Sequence, residues 1–200
     1  MALSFWFEFA STYSYLAAMR IEVEGRQRGI DVVWEPFLLG PIFRRQGWEK
    51  SPFDAYTDKG ANMWRDMERH CELYGLPLMR PEIFPQNGVM AVRLSLLGRK
   101  EGWTPAFVRA VYHAEFGEGM DISQPELLAG ILMDLGLDAD ALLEEARGEE
   151  IKAVLRARGA EVDRLRLYGS PNFVTSDGEL FWGNDRMEQA FDWEARHGLG

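Results

Sequence analysis

The chain has 200 residues and a formal net charge of −10, and its 46% hydrophobic content is enough apolar material for one substantial core. That acidity argues against nucleic acid as a partner, because Arg44-Arg45 and the arginines between 156 and 166 are interspersed with acidic or apolar residues and form no basic patch. No apolar run is long enough to span a membrane, and a single cysteine, Cys71, excludes an internal disulfide and any CxxC redox centre.

At the N-terminus, Phe5, Phe7 and Phe9 alternate with Trp6 and Glu8, which predicts a strand with one strongly apolar face. The segment MALSFWFEF has no basic stretch ahead of its apolar residues, so it reads as this strand and not as a signal peptide, and cytoplasmic residence is the expectation. A helix pattern follows from Thr12 to Arg28, with Leu16, Met19 and Val23 on one stripe, and Gly29 ends it. Ile30 to Phe37 is a second strand whose end is marked by Pro36. Strand, helix and strand in close succession form a βαβ unit, so the two strands are expected to be parallel.

Residues 38–53 mix glycine, proline and charge without a period and predict a long loop. From Asp54 to about Arg158 nearly everything reads helical. Asp54 to Tyr74 is one long segment, Thr104-Pro105 opens another, and Ser123-Gln124-Pro125-Glu126 has the capping-box pattern for a third. Strands return at the end: Asn172 to Thr175 and Glu179 to Trp182, joined by Ser176-Asp177-Gly178, form a hairpin. A last helix starts at Asn184 to Glu188, with Asp185 and Glu188 at capping-box spacing. This order predicts an α/β fold in which a thioredoxin-like domain (1–40 and 160–200) is interrupted by an α-helical insertion domain (41–159).

Three stretches carry candidate chemistry. Ser11-Thr12-Tyr13-Ser14 joins the first strand to the first helix, where thioredoxin-type oxidoreductases carry their two cysteines. Ser11 there is an N-cap; where the helix start opens onto a cleft, its hydroxyl can also donate to a thiolate and hold it ionised. Ser14, one turn further in, reads as a helix residue. Ser170-Pro171 precedes a strand, at the place where a thioredoxin-type fold has a cis proline, and such a bond would turn the Ser170 N–H and C=O outward toward an extended peptide ligand. Asn184-Asp185 begins the last helix, and donors beside an acid suit the head group of an amino acid, which carries both charges. The three histidines, His70, His113 and His197, share no ligand spacing, so no metal is expected.

Together FEFASTYSYLA (7–17), LLGPIFRRQGW (38–48), KGANMWRDMERHCELYGLP (59–77), GSPNF (169–173) and FWGNDRM (181–187) resemble the 2-hydroxychromene-2-carboxylate isomerases. Those are close to the kappa-class glutathione transferases within the DsbA-like thioredoxin superfamily. The resemblance implies glutathione as cofactor, an aromatic substrate and a homodimer. By matching position it implies Ser11 at the glutathione sulfur, Ser170 and Pro171 at the cysteinyl unit, and Asn184 and Asp185 at the γ-glutamyl head. Arg44 or Arg45, on the segment walling the substrate cleft, would meet the substrate carboxylate, with Tyr13 a further candidate for the cleft. The usual turn reads Ser-Pro-Tyr-Ser, so Thr12 stands in the proline position. A glutathione transferase or peroxidase would use the same cofactor site, and a non-catalytic thioredoxin-like module would need only Ser11 as a cap and Pro171 as scaffold. Cys71, among helical residues, reads as packing.

Overall fold

Four strands make one sheet in the order β2-β1-β3-β4, in a computed structural model that describes residues 1–47 and 56–199. Strand β1 (Ala2–Phe7) pairs in parallel with β2 (Asp31–Pro36), and helix α1 (Thr12–Arg28) is the crossover. Strand β3 (Asn172–Val174) lies antiparallel on the other side of β1, and β4 (Leu180–Trp182) completes the hairpin. Pro36 is tolerated because β2 is an edge strand, where a missing N–H interrupts no central ladder.

The alternation in β1 is only half of its environment. Phe5, Phe7 and Phe9 are fully buried on one face, where Phe5 stacks on Phe173 at 5.6 Å between ring centroids and meets Trp34 edge-on at 5.0 Å. Trp6 is also buried, in a second cluster with Phe37, Ile42, Val162, Leu167 and Val174. As the central strand, β1 has both faces covered, so an expectation of one apolar face undercounted its burial.

The helices follow the predicted order with local corrections. Helix α2 (Leu39–Arg45) occupies the first part of what reads as a loop, since Leu39 and Ile42 bury one side of about two turns. The residues 48–55, including Trp48 and the expected helix start at Asp54, lie outside the described residues; helix α3 runs Thr57–Tyr74. An irregular stretch separates it from α4 (Val89–Glu101), which is followed by α5 (Thr104–Tyr112) and a π turn (His113–Gly117). Thr104 is not the cap of α5: it is already helical, and its buried hydroxyl donates to the Ser95 carbonyl at 2.7 Å. Helix α6 (Pro125–Asp134) is entered without a side-chain cap, and Asp121 instead gathers the Ser123 N–H and the Gln124 amide. Helices α7 (Ala139–Arg147), α8 (Glu149–Arg164) and the C-terminal α9 (Met187–His197) complete the chain.

One ion cluster fastens this helical block to the sheet. Glu35 at the end of β2 accepts from Arg99 of α4 at 2.7 Å and from Arg158 of α8, whose guanidinium lies 4.3 Å over the Trp6 ring. No described helix is long and apolar enough to cross a membrane.

Candidate active site

Two cavities meet at the C-terminal end of β1. The larger, about 890 Å³, is lined by the β1–α1 turn (Glu8 and Ala10 to Tyr13), α2, α3, residues 85–89 and the Tyr168–Ser170 segment. The smaller, about 530 Å³, is lined by Tyr13, Asp66, His70, Ser170 and Trp182 to Arg186. Tyr13, Ser170 and Trp182 are common to both.

Ser11 is the N-cap of α1 and a wall residue of the larger cavity, so the two readings of this serine coexist. Its backbone is extended (φ −99°, ψ 110°), and its Oγ accepts the Ser14 N–H at 3.2 Å. The same hydroxyl donates to the Ser170 carbonyl at 3.0 Å. Ser14 is fully buried, and its Oγ lies 2.7 Å from the Ser170 Oγ. The two serines of the turn thus both grip Ser170, across 159 and 156 residues of chain. The Ser170–Pro171 bond is cis. The Ser170 carbonyl, expected to face a ligand, already accepts one hydrogen bond, from Ser11, and has a second lone pair left. Thr12 is buried on the cavity wall, and its hydroxyl makes no hydrogen bond among the described residues.

The smaller cavity holds the Asn184-Asp185 pair. Asn184 is buried; its Oδ1 accepts weakly from Arg20 at 3.4 Å, and its Nδ2 has no partner. Asp185 is not a helix cap: the turn before α9 is 3-10 from Asn184 to Arg186, and Arg186 is the residue flanking α9. Its exposed carboxylate lies over Gly183, whose φ of +107° is glycine territory and whose absent Cβ would stand 2.5 Å from Asp185 Oδ1. Tyr13 donates to Asp66 at 3.0 Å, and burial together with that acidic partner pushes its phenol far above the usual range. Burial works to raise Asp66, but hydrogen bonds from Arg69 and Tyr13 and the charge of His70 outweigh it and hold the carboxyl low.

Of the two arginines on α2, Arg44 lines the larger cavity, whereas Arg45 is outside its lining and pairs with Asp163 on α8. Cys71 is buried away from both cavities, and burial pushes its thiol up to about 11, which leaves it an unreactive packing group. Tyr168 and Trp182, 5.0 Å apart, form an exposed aromatic pair at the junction. Trp182 is seated by Gly169, where a Cβ would lie 2.4 Å from the indole Nε1.

A further carboxyl was not singled out by sequence reasoning. Glu8, one residue past β1, is buried on the wall of the larger cavity. Its one visible sign in the sequence is an acid set into an aromatic strand pattern. Among the described residues no group of three or more His, Cys, Asp or Glu side chains is placed to hold a metal ion.

The chain matches the DSBA-like thioredoxin domain over residues 2–192. It is 30% identical over 186 residues to a 2-hydroxychromene-2-carboxylate isomerase of Sphingobium xenophagum, covering 93% of this chain and 94% of that one. Its fold superposes on the structure of a selenomethionine 2-hydroxychromene-2-carboxylate isomerase with a TM-score of 0.89 at 24% identity, over 98% and 95% of the two chains. A cytosolic disulfide reductase, DsbM from Pseudomonas aeruginosa, solved with GSH, shares the fold at a TM-score of 0.70 and 18% identity, over 98% and 96%. With the domain match across residues 2–192 and near-complete overlap with an isomerase relative at 30% identity, the chain belongs to the 2-hydroxychromene-2-carboxylate isomerase family of DSBA-like thioredoxin domains.

Proposed function

We propose that the protein is a glutathione-dependent isomerase that converts 2-hydroxychromene-2-carboxylate, or a close aromatic relative, to the trans open-chain pyruvate. The observation that carries this reading is the pair of joined cavities with Ser11 on the wall of the larger one, hydrogen-bonded to the junction residue Ser170, and no cysteine beside it. The smaller cavity suits the γ-glutamyl head, because the buried Asn184 Nδ2 is an unused donor there and Asp185 offers a carboxylate to an ammonium. The Ser170 backbone and Pro171 are the positions for the cysteinyl unit. Bound there, glutathione supplies a nucleophilic thiolate whose addition and departure lets the double bond rotate.

The chain's own contribution is positional and electrostatic. Ser11 lies at the start of α1, where the helix dipole and a hydroxyl donor favour a thiolate. To donate to sulfur it exchanges its bond to the Ser170 carbonyl for the new one, so the donor is preorganised but occupied beforehand. Arg44, a cation on the wall of this cavity, would meet the substrate carboxylate, and the apolar Leu38, Phe43 and Val89 suit an aromatic ring. Serine also avoids a mixed disulfide that a cysteine at this turn would form with the cofactor.

The test is turnover of hydroxychromene carboxylate with and without glutathione, for the wild type and Ser11→Ala. The variant is expected to melt like the wild type, to bind glutathione, and to lose about 10- to 1000-fold in kcat, the scale of one well-placed donor. Conjugation of an aryl halide without any isomerisation would instead mark a transferase. Failure of glutathione to raise the melting temperature would sink both enzyme readings.

A further inference from the structure

Glu8 is a buried ionisable group on the wall of the larger cavity, and none of the roles above uses it. It sits three residues before Ser11 on the same turn and lines the same cavity. One oxygen is anchored: Oε2 accepts the Ala10 N–H at 2.9 Å. The other, Oε1, makes no hydrogen bond among the described residues, yet it is not sealed in the interior. It therefore opens toward the cavity beside Gly88. A buried carboxyl fixed at one oxygen and open at the other is built to exchange a proton.

We propose that Glu8 is the proton carrier of this cleft, acting on the substrate's ring and hydroxyl oxygens as the ring opens. The inference rests on the isomerase reading above. The named substrate is a cyclic hemiketal, and opening it breaks the bond between the hemiketal carbon and the ring oxygen. That electron pair stays on the ring oxygen, which takes a proton from neutral Glu8 and becomes a phenol. The hemiketal hydroxyl becomes the ketone, and its proton returns to the Glu8 carboxylate. Nothing is oxidised or reduced, and Glu8 ends as it began.

The surroundings suit this cycle. Burial holds the Glu8 carboxyl up at about 8, against a lowering contribution from the Ala10 N–H, so it carries its proton at neutral pH. The groups that face it are Tyr112 of α5, whose hydroxyl donates to the Glu8 carbonyl at 2.8 Å, and Glu115 of the π turn, whose own carboxyl is pushed well above the usual range, chiefly by burial. Lys59 of α3 and Arg44 of α2 share the cavity wall. A purely structural Glu8 would need only to accept from Ala10, which glutamine does equally well.

Glu8→Gln keeps that acceptor and removes the proton, so it separates the two roles. With saturating glutathione, the variant is expected to lose about 100- to 10,000-fold in kcat, the range for a general acid–base group. The alkaline fall of the wild-type kcat, set by Glu8 losing its proton, is expected to vanish with it. Calorimetric glutathione affinity is expected to stay as in the wild type. Unchanged kcat with the alkaline limb retained overturns the proposal, and so does a loss explained by weakened glutathione binding. Should Glu8→Gln not fold, the infrared difference spectrum of the wild type on product binding decides: a protonated-carboxyl band must shift, and its absence overturns the proposal. A wild type that binds glutathione but never opens hydroxychromene carboxylate defeats the isomerase reading, and with it this role, a failure distinct from an active enzyme indifferent to Glu8→Gln.

Discussion

Ser11 has one proton to give, and the Ser170 carbonyl holds it at 3.0 Å. Recruiting that hydroxyl for a thiolate costs a neutral hydrogen bond and gains a charge-assisted one, a net gain of about 1 kcal/mol. Thr12 has no such prior commitment, since its hydroxyl is buried on the cavity wall without a partner. The residue standing in the family's proline position thus holds an uncommitted hydroxyl on the cavity wall, one turn position from Ser11. Thr12→Val keeps the shape and removes the hydroxyl. The expected result is a rise of up to about 1 unit in the pKa of bound glutathione, the equivalent of one modest hydrogen bond. Titrating the ultraviolet thiolate absorption of the complex checks this, and an unmoved pKa would leave Thr12 as wall only. The sequence made Ser11 a candidate through position alone. It could not show that Thr12 is the uncommitted hydroxyl, because that depends on which partners the fold brings within reach.

The turn between β4 and α9 shows where local pattern reading stops. Asp185 and Glu188 have capping-box spacing, yet the chain inserts a 3-10 turn at Asn184–Arg186 and α9 begins at Met187. Its cause is Gly183: at φ +107° the backbone reverses sharply and accepts a bond from the Arg186 N–H at 3.0 Å, which leaves Asp185 outside the helix. In Gly183→Ala the new methyl meets Asp185 Oδ1 and the backbone leaves its preferred region, at a cost of about 1–3 kcal/mol. Melting should register that loss, and calorimetry should show weaker glutathione binding as Asp185 swings away. Full retention of affinity would remove Asp185 from the head-group site. Elements were otherwise readable where periodicity and punctuation agree, as in α1 between Ser11 and Gly29 and in the terminal hairpin. The short α2 was hidden because seven residues containing Gly40 and Pro41 carry too little period to distinguish from a loop.

The core has two acids that oppose its stability. Glu8 is held up at about 8, and Glu115, fully buried with both oxygens unpartnered, is raised well above the carboxylate range by burial and by the Glu8 charge. The sign follows from which state binds more protons. Between an ordinary carboxylate pKa of about 4.5 and 8, the folded chain keeps the Glu8 proton that the unfolded chain has released, so stability falls as pH rises through this window. The raised pKa corresponds to a penalty on the order of 5 kcal/mol above pH 8. Glu8→Gln is therefore expected to melt close to the wild type in mild acid and clearly above it in mild alkali. Scanning calorimetry at the two pH values checks the crossover, and equal melting in alkali would show that Glu8 ionises without cost.

The Ser11–Ser170 hydrogen bond spans 159 residues, and Trp182, shared by both cavities, lies further still along the chain. Neither cavity has its walls until the hairpin that carries them has docked beside β1. On the ribosome, the β1–α1 turn emerges before the hairpin and waits through the synthesis of every intervening helix. A nascent chain halted anywhere before the hairpin holds its serine but has no cleft around it. Competence is thereby reserved for molecules whose hairpin has been made and docked, a safeguard that comes from strand order alone.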